Sequence, residues 1–297
     1  MVDMDIMELM ERYNTDDACR DVLEKLRWPD GIVCPKCQSK AIRNSHTRHQ
    51  YDCGSCGYQF SVMSGTIFHD THLPLRKWFV AIYLMVESKK GISANQMKRT
   101  LKVSYKTAWY LCHRIRAAMT ETKPNLLNGI VEVDETFVGG KKTNVGHGYR
   151  GNKVAVAGAV ERKGCARLQT IPNTTRKTLH GFIHEVTAPD TEAIYTDEWP
   201  AYKGIADENT RHATVNHLAD EWVRGDVHTN TVEGVWSLFK RSVVGSYHKV
   251  SKKHLDAYLD ELEWRFNNRN NNYLFRDTLI KLISSDNLPY QELTRSA

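Results

Sequence analysis

No stretch of the 297 residues approaches the apolar length that a membrane-crossing helix needs. Nor does the chain open on a basic start followed by an apolar run. Met1 to Asp30 carries nine acidic and four basic residues, so no secretory leader is expected. Both absences point to a soluble protein of the cytoplasm, associated with the nucleoid if the source is bacterial. In that reducing compartment the seven cysteines are expected as metal ligands or buried thiols rather than disulfides. A strong excess of one charge is also lacking: the net charge is +6, with 41% hydrophobic and 26% charged residues, ordinary for a globular chain. The length suits roughly two to three compact units.

What charge there is gathers locally. Between Arg76 and Pro124 there are eleven Lys or Arg against two acidic residues. Such a stretch suits a phosphate-binding surface, and it also suits a solvated helical face.

Four of the cysteines form the strongest local signal. Cys34 and Cys37 stand in CPKC; after fifteen intervening residues, Cys53 and Cys56 stand in CGSCG. This is the spacing of one four-thiolate zinc site, a zinc ribbon, with disulfides or chance spacing as the alternatives. Each pair falls on a tight turn whose amides can point at sulfur, with Gly54 and Gly57 supplying backbone freedom. Four thiolates leave no coordination position for water, so the zinc is structural and not catalytic. Cys19, Cys112 and Cys165 lack such partners and are read as packing residues.

After the ribbon, LPLRKWFVAIYLMVESKKG reads as a helix ending at Gly91, and two shorter helical patterns flank a turn near Leu101 to Ser104. Ser104 is a good helix start. The pair resembles a helix-turn-helix, with Lys106, Thr107, Tyr110 and Arg114 where a recognition helix carries its contacts; an ordinary helix pair is the alternative.

From Leu126 the pattern changes to alternation at period two, in NGIVEVDETFVGG, NKVAVAGAVERKG and CARLQTI. A helix is expected from Asn173–Thr175 to about Val186, then a strand ending at Asp197, a short strand at HATVNH, and two helices, TVEGVWSLFKRSV and KKHLDAYLDELEWRFNNR. Together these make an α/β unit, a mixed sheet flanked by helices. The expected layout is a helical segment over 1–30, the ribbon over 31–62, a helix-turn-helix-like region over 63–125, the α/β unit over 126–275 and a C-terminal tail over 276–297.

Three acidic residues stand where metal ligands would be useful. Asp134 lies on the opening strand, where Glu132, Asp134 and Thr136 share one face and Val131, Val133 and Phe137 the other. Asp197 closes a later strand, at an edge where α/β sheets place their sites. Glu233 borders the apolar face of its helix, beside Lys240. Singly they read as a polar strand residue, a cap for a helix near Pro200 and a solvated helix residue. Jointly they suit two Mg²⁺ or Mn²⁺ ions, which need several carboxylate oxygens converging from different elements.

The segments VEVDETFVGGK, IYTDEW and HTNTVEGVWSLFKR, preceded by CPKC and CGSCGYQFSV, resemble the ISXO-like insertion-sequence transposases, bacterial relatives of the Merlin transposases, over about residues 10 to 275. The resemblance implies an RNase H-like domain of the DDE class, with Asp134, Asp197 and Glu233 as the metal-binding carboxylates. It implies too that ribbon and helix-turn-helix help recognise the terminal inverted repeats of the element. Some similar proteins carry Asn at the third acidic position; this chain has Glu. Thirty-five residues separate Asp197 from Glu233, close to the separation across many DDE recombinases. Lys240 and Arg241 are expected to hold double-stranded DNA by its backbone. His228 reads equally as a capping or packing residue. Glu132, Glu135 and Glu198 adjoin the expected ligands, to support or replace one of them. The expected reaction is cleavage at the element's end followed by attack of the freed 3′ hydroxyl on target DNA, which calls for a homodimer or higher synaptic assembly. Two rivals are a DNA-binding regulator that uses ribbon and helix-turn-helix alone, and a structure-selective nuclease on the same sheet.

Overall fold

An amphipathic helix or strand forms stably only where its apolar side is covered, so the elements are best read with what covers them. The computed structural model describes residues 4–45, 49–139 and 153–295. Gly140 and Lys141, at the end of the VEVDETFVGGK segment, lie outside them. Chain order begins α1 (Ile6–Arg12), α2 (Asp16–Arg27), β1 (Ile42–Ser45), β2 (Gln50–Cys53), β3 (Gln59–Phe60), α3 (Leu75–Glu87), α4 (Ala94–Leu101) and α5 (Tyr105–Met119). It continues β4 (Ile130–Val138), β5 (Val154–Glu161), β6 (Ala166–Ile171), α6 (Arg176–Val186), β7 (Ala193–Asp197), β8 (Arg211–Val215), α7 (Asn230–Ser242) and α8 (Leu255–Asn267). Last come α9 (Leu274–Ser284) and α10 (Tyr290–Thr294). No helix among the described residues is long and apolar enough to cross a membrane.

The chain divides into two compact units: Glu121–Arg269 forms one, and the chain up to Thr120 forms the other together with the stretch from Asn270 onward. This differs from the layout expected above, in which a sheet domain ran to residue 275 and a tail followed. Helix α9 buries Phe275, Leu279, Leu282 and Ile283 and packs on α2, α3 and α5. Periodicity marks α9 as amphipathic; it carries no information on which distant helices cover it.

In the first unit the ribbon is a three-stranded sheet in the order β1-β2-β3. Behind it, α4 and α5 are joined through Lys102, which adopts a left-handed conformation at φ +53 and closes α4. Ser104 caps α5, its hydroxyl accepting from the Thr107 amide at 3.1 Å.

The second unit is a five-stranded sheet in the order β6-β5-β4-β7-β8. β4 pairs antiparallel with β5 and parallel with β7. β5 and β6 are antiparallel, β7 and β8 parallel. Both faces are covered. Val131 and Val133 of β4 pack with Leu179, Phe182 and Ile183 of α6. Val156 and Val160 of β5 pack with Val232, Val235, Trp236 and Phe239 of α7 and Leu255, Leu259 and Leu262 of α8. β5 is buried along nearly its whole length, as a strand covered on both faces must be. Three antiparallel strands followed by two parallel ones, with helices on both faces, is the RNase H-like arrangement.

Candidate metal sites and nucleic-acid surface

The two halves of the ribbon are built alike. Gln38 donates its amide to the Cys34 carbonyl and Gly57 its amide to the Cys53 carbonyl, both at 2.9 Å, and both residues have positive φ, +60 and +68. Glycine makes that conformation easy at 57; Gln38 adopts it with a side chain. Gly54 serves differently: its amide donates to the Ala41 carbonyl at 2.7 Å, and an added Cβ would lie 3.2 Å from that oxygen. The turns bring Cys34 Sγ within 3.7 Å of Cys56 Sγ and Cys37 Sγ within 3.5 Å of Cys53 Sγ, and all four sulfurs lie within 4.8 Å of one another. Four sulfurs at 2.3 Å from a tetrahedral zinc stand about 3.8 Å apart, so the cluster fits that ion. Burial raises the Cys53 thiol, but the Cys56 and Ser55 amides and then the Cys37 and Cys56 thiols aimed at its sulfur outweigh it and bring it down to about 6, while Cys37, its neighbour at 3.5 Å, is pushed up to about 12.

The three expected carboxylates come from three elements of the sheet unit. Asp134 is on β4, Asp197 ends β7 and Glu233 lies in the first turn of α7. In the β4–β7 register Glu132 faces Tyr195. The β4–β7 pairing ends there, two residues short of Asp134 and Asp197, and the Asp197 charge still reaches Asp134. All three line one open cleft of about 520 Å³, together with Thr136, His217, Thr229, Trp236, Lys240 and Arg241. Their oxygens do not gather as the sulfurs do: among the described residues, only the cysteines bring three or more such groups that close.

Each carboxylate is held differently. Asp134 is pushed up to about 7 by burial, then by the charges of Glu135 and Asp197, with the Glu135 backbone amide opposing; the nearby buried Trp236 indole N–H makes no hydrogen bond among the described residues. Asp197 accepts the Trp199 amide at 3.0 Å, but it does not cap the short helical turn at Pro200–Tyr202, which starts at Trp199 with no side-chain cap. Glu233 accepts the Thr229 hydroxyl at 3.0 Å and lies 3.4 Å from His217 Nε2. Gly158 faces Asp134 across the β4–β5 ladder, and the Trp236 indole fills the space a side chain there would take, since an added Cβ would lie 2.5 Å from a ring carbon.

Of the acidic neighbours, Glu135 accepts the Tyr202 hydroxyl at 2.6 Å and Glu198 is exposed. Glu132 is fully buried and turned away from the cleft. Its Oε2 accepts the amides of Thr231 at 2.6 Å and Val232 at 3.1 Å, and its Oε1 accepts the Thr231 hydroxyl at 2.9 Å. Arg162 donates to Oε1 at 2.7 Å, and His228 Nδ1 lies 3.1 Å from the same oxygen. Reading the sequence could place Glu132 beside the ligands but could not say which way its helix partner lay. His217 carried no signal at all, being brought to Glu233 by a loop.

The expected DNA contacts separate into two groups. Lys240 and Arg241 are exposed on the cleft. On α5, Lys106 is exposed over the Tyr290 ring at 4.4 Å, and the Thr107 hydroxyl lies 2.9 Å from that of Ser104. The other two are internal supports. Tyr110 donates its hydroxyl to the Leu288 carbonyl at 2.5 Å. Arg114, only 4% exposed, donates to the His69 carbonyl at 2.7 Å and to Asn287 Oδ1 at 3.3 Å. The segment after α9 covers that side of α5, a long-range contact that local helix spacing does not reveal.

The fold and the carboxylate edge thus define an RNase H-like domain carried behind a zinc ribbon. The family model described as "ISXO2-like transposase domain" matches residues 126–267, and that of the "transposase zinc-ribbon domain" matches residues 14–59. A Halobacterium salinarum protein described as an uncharacterized protein in transposable element ISH50 is 30% identical over 279 residues, 86% of this chain and 92% of that one. An uncharacterized transposase-like protein of Haemophilus influenzae is 31% identical over 98 residues, 33% of this chain and 77% of its own. The chain belongs to the ISXO2-like transposase family. Two solved structures, a pre-cleavage Mos1 transpososome and a Mos1 paired-end complex with left transposon end, are similar at 12% identity. They cover 68% and 70% of this chain and 77% and 79% of theirs, at TM-scores of 0.28 and 0.29, too distant to bear on its function.

Proposed function

We propose that this transposase cleaves DNA at the ends of its element and joins the freed 3′ hydroxyl to target DNA, in a cleft where Asp134, Asp197 and Glu233 hold two Mg²⁺ or Mn²⁺ ions. The observation that carries this reading is the convergence of those residues, from β4, β7 and α7, on one open cleft whose rim holds Lys240 and Arg241. When bound, such cations neutralise charge at the phosphorus and activate water or a terminal hydroxyl for in-line displacement. The protein's own contribution is placement. Asp134 and Asp197 stand on neighbouring parallel strands, each two residues beyond their last paired positions, and Glu233 is oriented by Thr229 and His217. Lys240 and Arg241 hold the backbone by charge, without reading bases.

The ribbon holds one structural zinc, and with Lys106 and Thr107 on α5 it contributes to binding the terminal inverted repeats. Since two ends must meet before joining, the working form is a dimer or a larger synaptic assembly of this chain. The test is a strand-transfer assay with oligonucleotides copied from the DNA flanking the gene, a supercoiled plasmid target, and Mg²⁺ or Mn²⁺. Joined products that vanish in Asp197→Asn are expected. Cleavage without joining would identify a nuclease instead, and zinc-dependent binding with neither would identify a regulator.

A further inference from the structure

Helix α7 carries Glu233 but has no cap of its own: the hydroxyl of Thr229, at its N-cap, makes no bond to the helix amides. Glu132 fills that place from another element, its oxygens accepting the Thr231 and Val232 amides and the Thr231 hydroxyl. A carboxylate at a helix N-terminus is favoured both by the free amides and by the helix dipole. Burying its charge is costly unless a cation accompanies it, and Arg162, just after β5, provides one. The same guanidinium reaches on to the segment leading into α7, donating to the Asp226 carbonyl at 2.8 Å and the His228 carbonyl at 3.1 Å.

A cap supplied from within α7 would stabilise the helix and leave it free to slide on the sheet. One supplied from β4 does more, because Asp134 follows Glu132 by two residues on the same strand face and Glu233 follows Val232 by one on the helix. Glu132 accepts two hydrogen bonds on each oxygen, from Thr231, Val232 and Arg162, and none of its surface is exposed, so it is not itself a cation ligand. We infer that Glu132, charge-paired with Arg162, is a positioning residue that fixes α7 in register on β4 and so sets the spacing between Asp134 and Glu233. This rests on the reading of those two as cation ligands.

The test is a Mn²⁺ titration of the zinc-loaded, DNA-free chain, followed by electron paramagnetic resonance, with thermal melting of the same samples. Glu132→Gln places a carboxamide against donors on every side and is expected to weaken Mn²⁺ binding roughly 10-fold or more. Thr231→Val removes one hydrogen bond while keeping the side-chain shape, and is expected to weaken it several-fold. A purely structural cap would lower the melting temperature and leave the Mn²⁺ affinity of the folded protein unchanged, which would overturn the inference. Asp134→Asn separates the two readings. If it abolishes Mn²⁺ binding while Glu132→Gln and Thr231→Val bind as the parent chain does, the positioning role is wrong. If Asp134→Asn itself binds Mn²⁺ normally, the ligand assignment beneath it is wrong. Should Glu132→Gln fail to fold, Thr231→Val decides alone.

Discussion

At the scale of single residues, Asp134 is where burial and neighbouring charge work against the ionised form. Burial, Glu135 and Asp197 together lift its carboxyl to about 7, against 3.8 for the free group. Between those values the folded chain keeps a proton that the unfolded chain has released, so this residue makes folding less favourable as pH rises through the window. A salt-bridged carboxylate would have the opposite sign. With no Mg²⁺ or Mn²⁺ added, Asp134→Asn is therefore expected to melt several degrees above the parent chain at pH 8, with the gap closing towards pH 4. Equal melting temperatures at pH 8 would show that Asp134 carries no such strain. Gly158 makes a second residue-scale case, since the Trp236 indole occupies the space of its missing side chain directly opposite Asp134. Gly158→Ala overfills that contact, and overpacking of this kind costs about 1–3 kcal/mol. Denaturant melts should show that loss. Strand transfer should fall further than the stability loss accounts for, because the displaced indole also lines the cleft that holds Asp134.

At the scale of elements, the ribbon shows how a small sheet depends on its ion. Its three strands are short, β3 being only two residues, and Tyr51 and Phe60 are its main buried apolar side chains. Metal binding is then a large part of its folding free energy. Stripping zinc with a strong chelator is expected to remove amide protection from β1–β3 while leaving β4–β8 protected, as read by hydrogen exchange. Ribbon amides that stay protected would mean that the strands hold without zinc. The ribbon was legible in the sequence because its ligand spacing is local, and β4, β5 and β6 were legible because alternation at period two is local as well. The site was legible less evenly. Asp134, Asp197 and Glu233 could be picked out as strand, strand-end and helix residues that jointly suit cations, and the resemblance then implied them as the metal-binding carboxylates of one class. Glu132 and His217 act through partners about 99 and 16 residues away, and Arg114 through Asn287; no local pattern encodes such distances.

At the scale of the whole molecule, the division of the chain does not follow its order, since the segment from Asn270 onward completes the unit that the first 120 residues begin. The aromatic ring of Phe275 shows what this supplies: it lies 5.8 Å from the ring of Phe79, 6.2 Å from that of Tyr83 and 6.3 Å from that of Tyr13. Removing α9 would uncover those rings together with its own buried Leu279, Leu282 and Ile283 contacts. Residues 1–120 alone should therefore lack a cooperative melt and acquire one when joined by a flexible linker to 270–297. Residues 121–269, which hold the whole five-stranded sheet and α6–α8, should melt cooperatively without either. The point variant Phe275→Ala, in the full chain, is expected to cost about 3–5 kcal/mol in the first unit and to leave the sheet unit's transition where it was. A cooperative melt of 1–120 by itself would show that α9 only rests on a unit already complete, and a downward shift of the sheet unit's transition in Phe275→Ala would show that the two units fold as one.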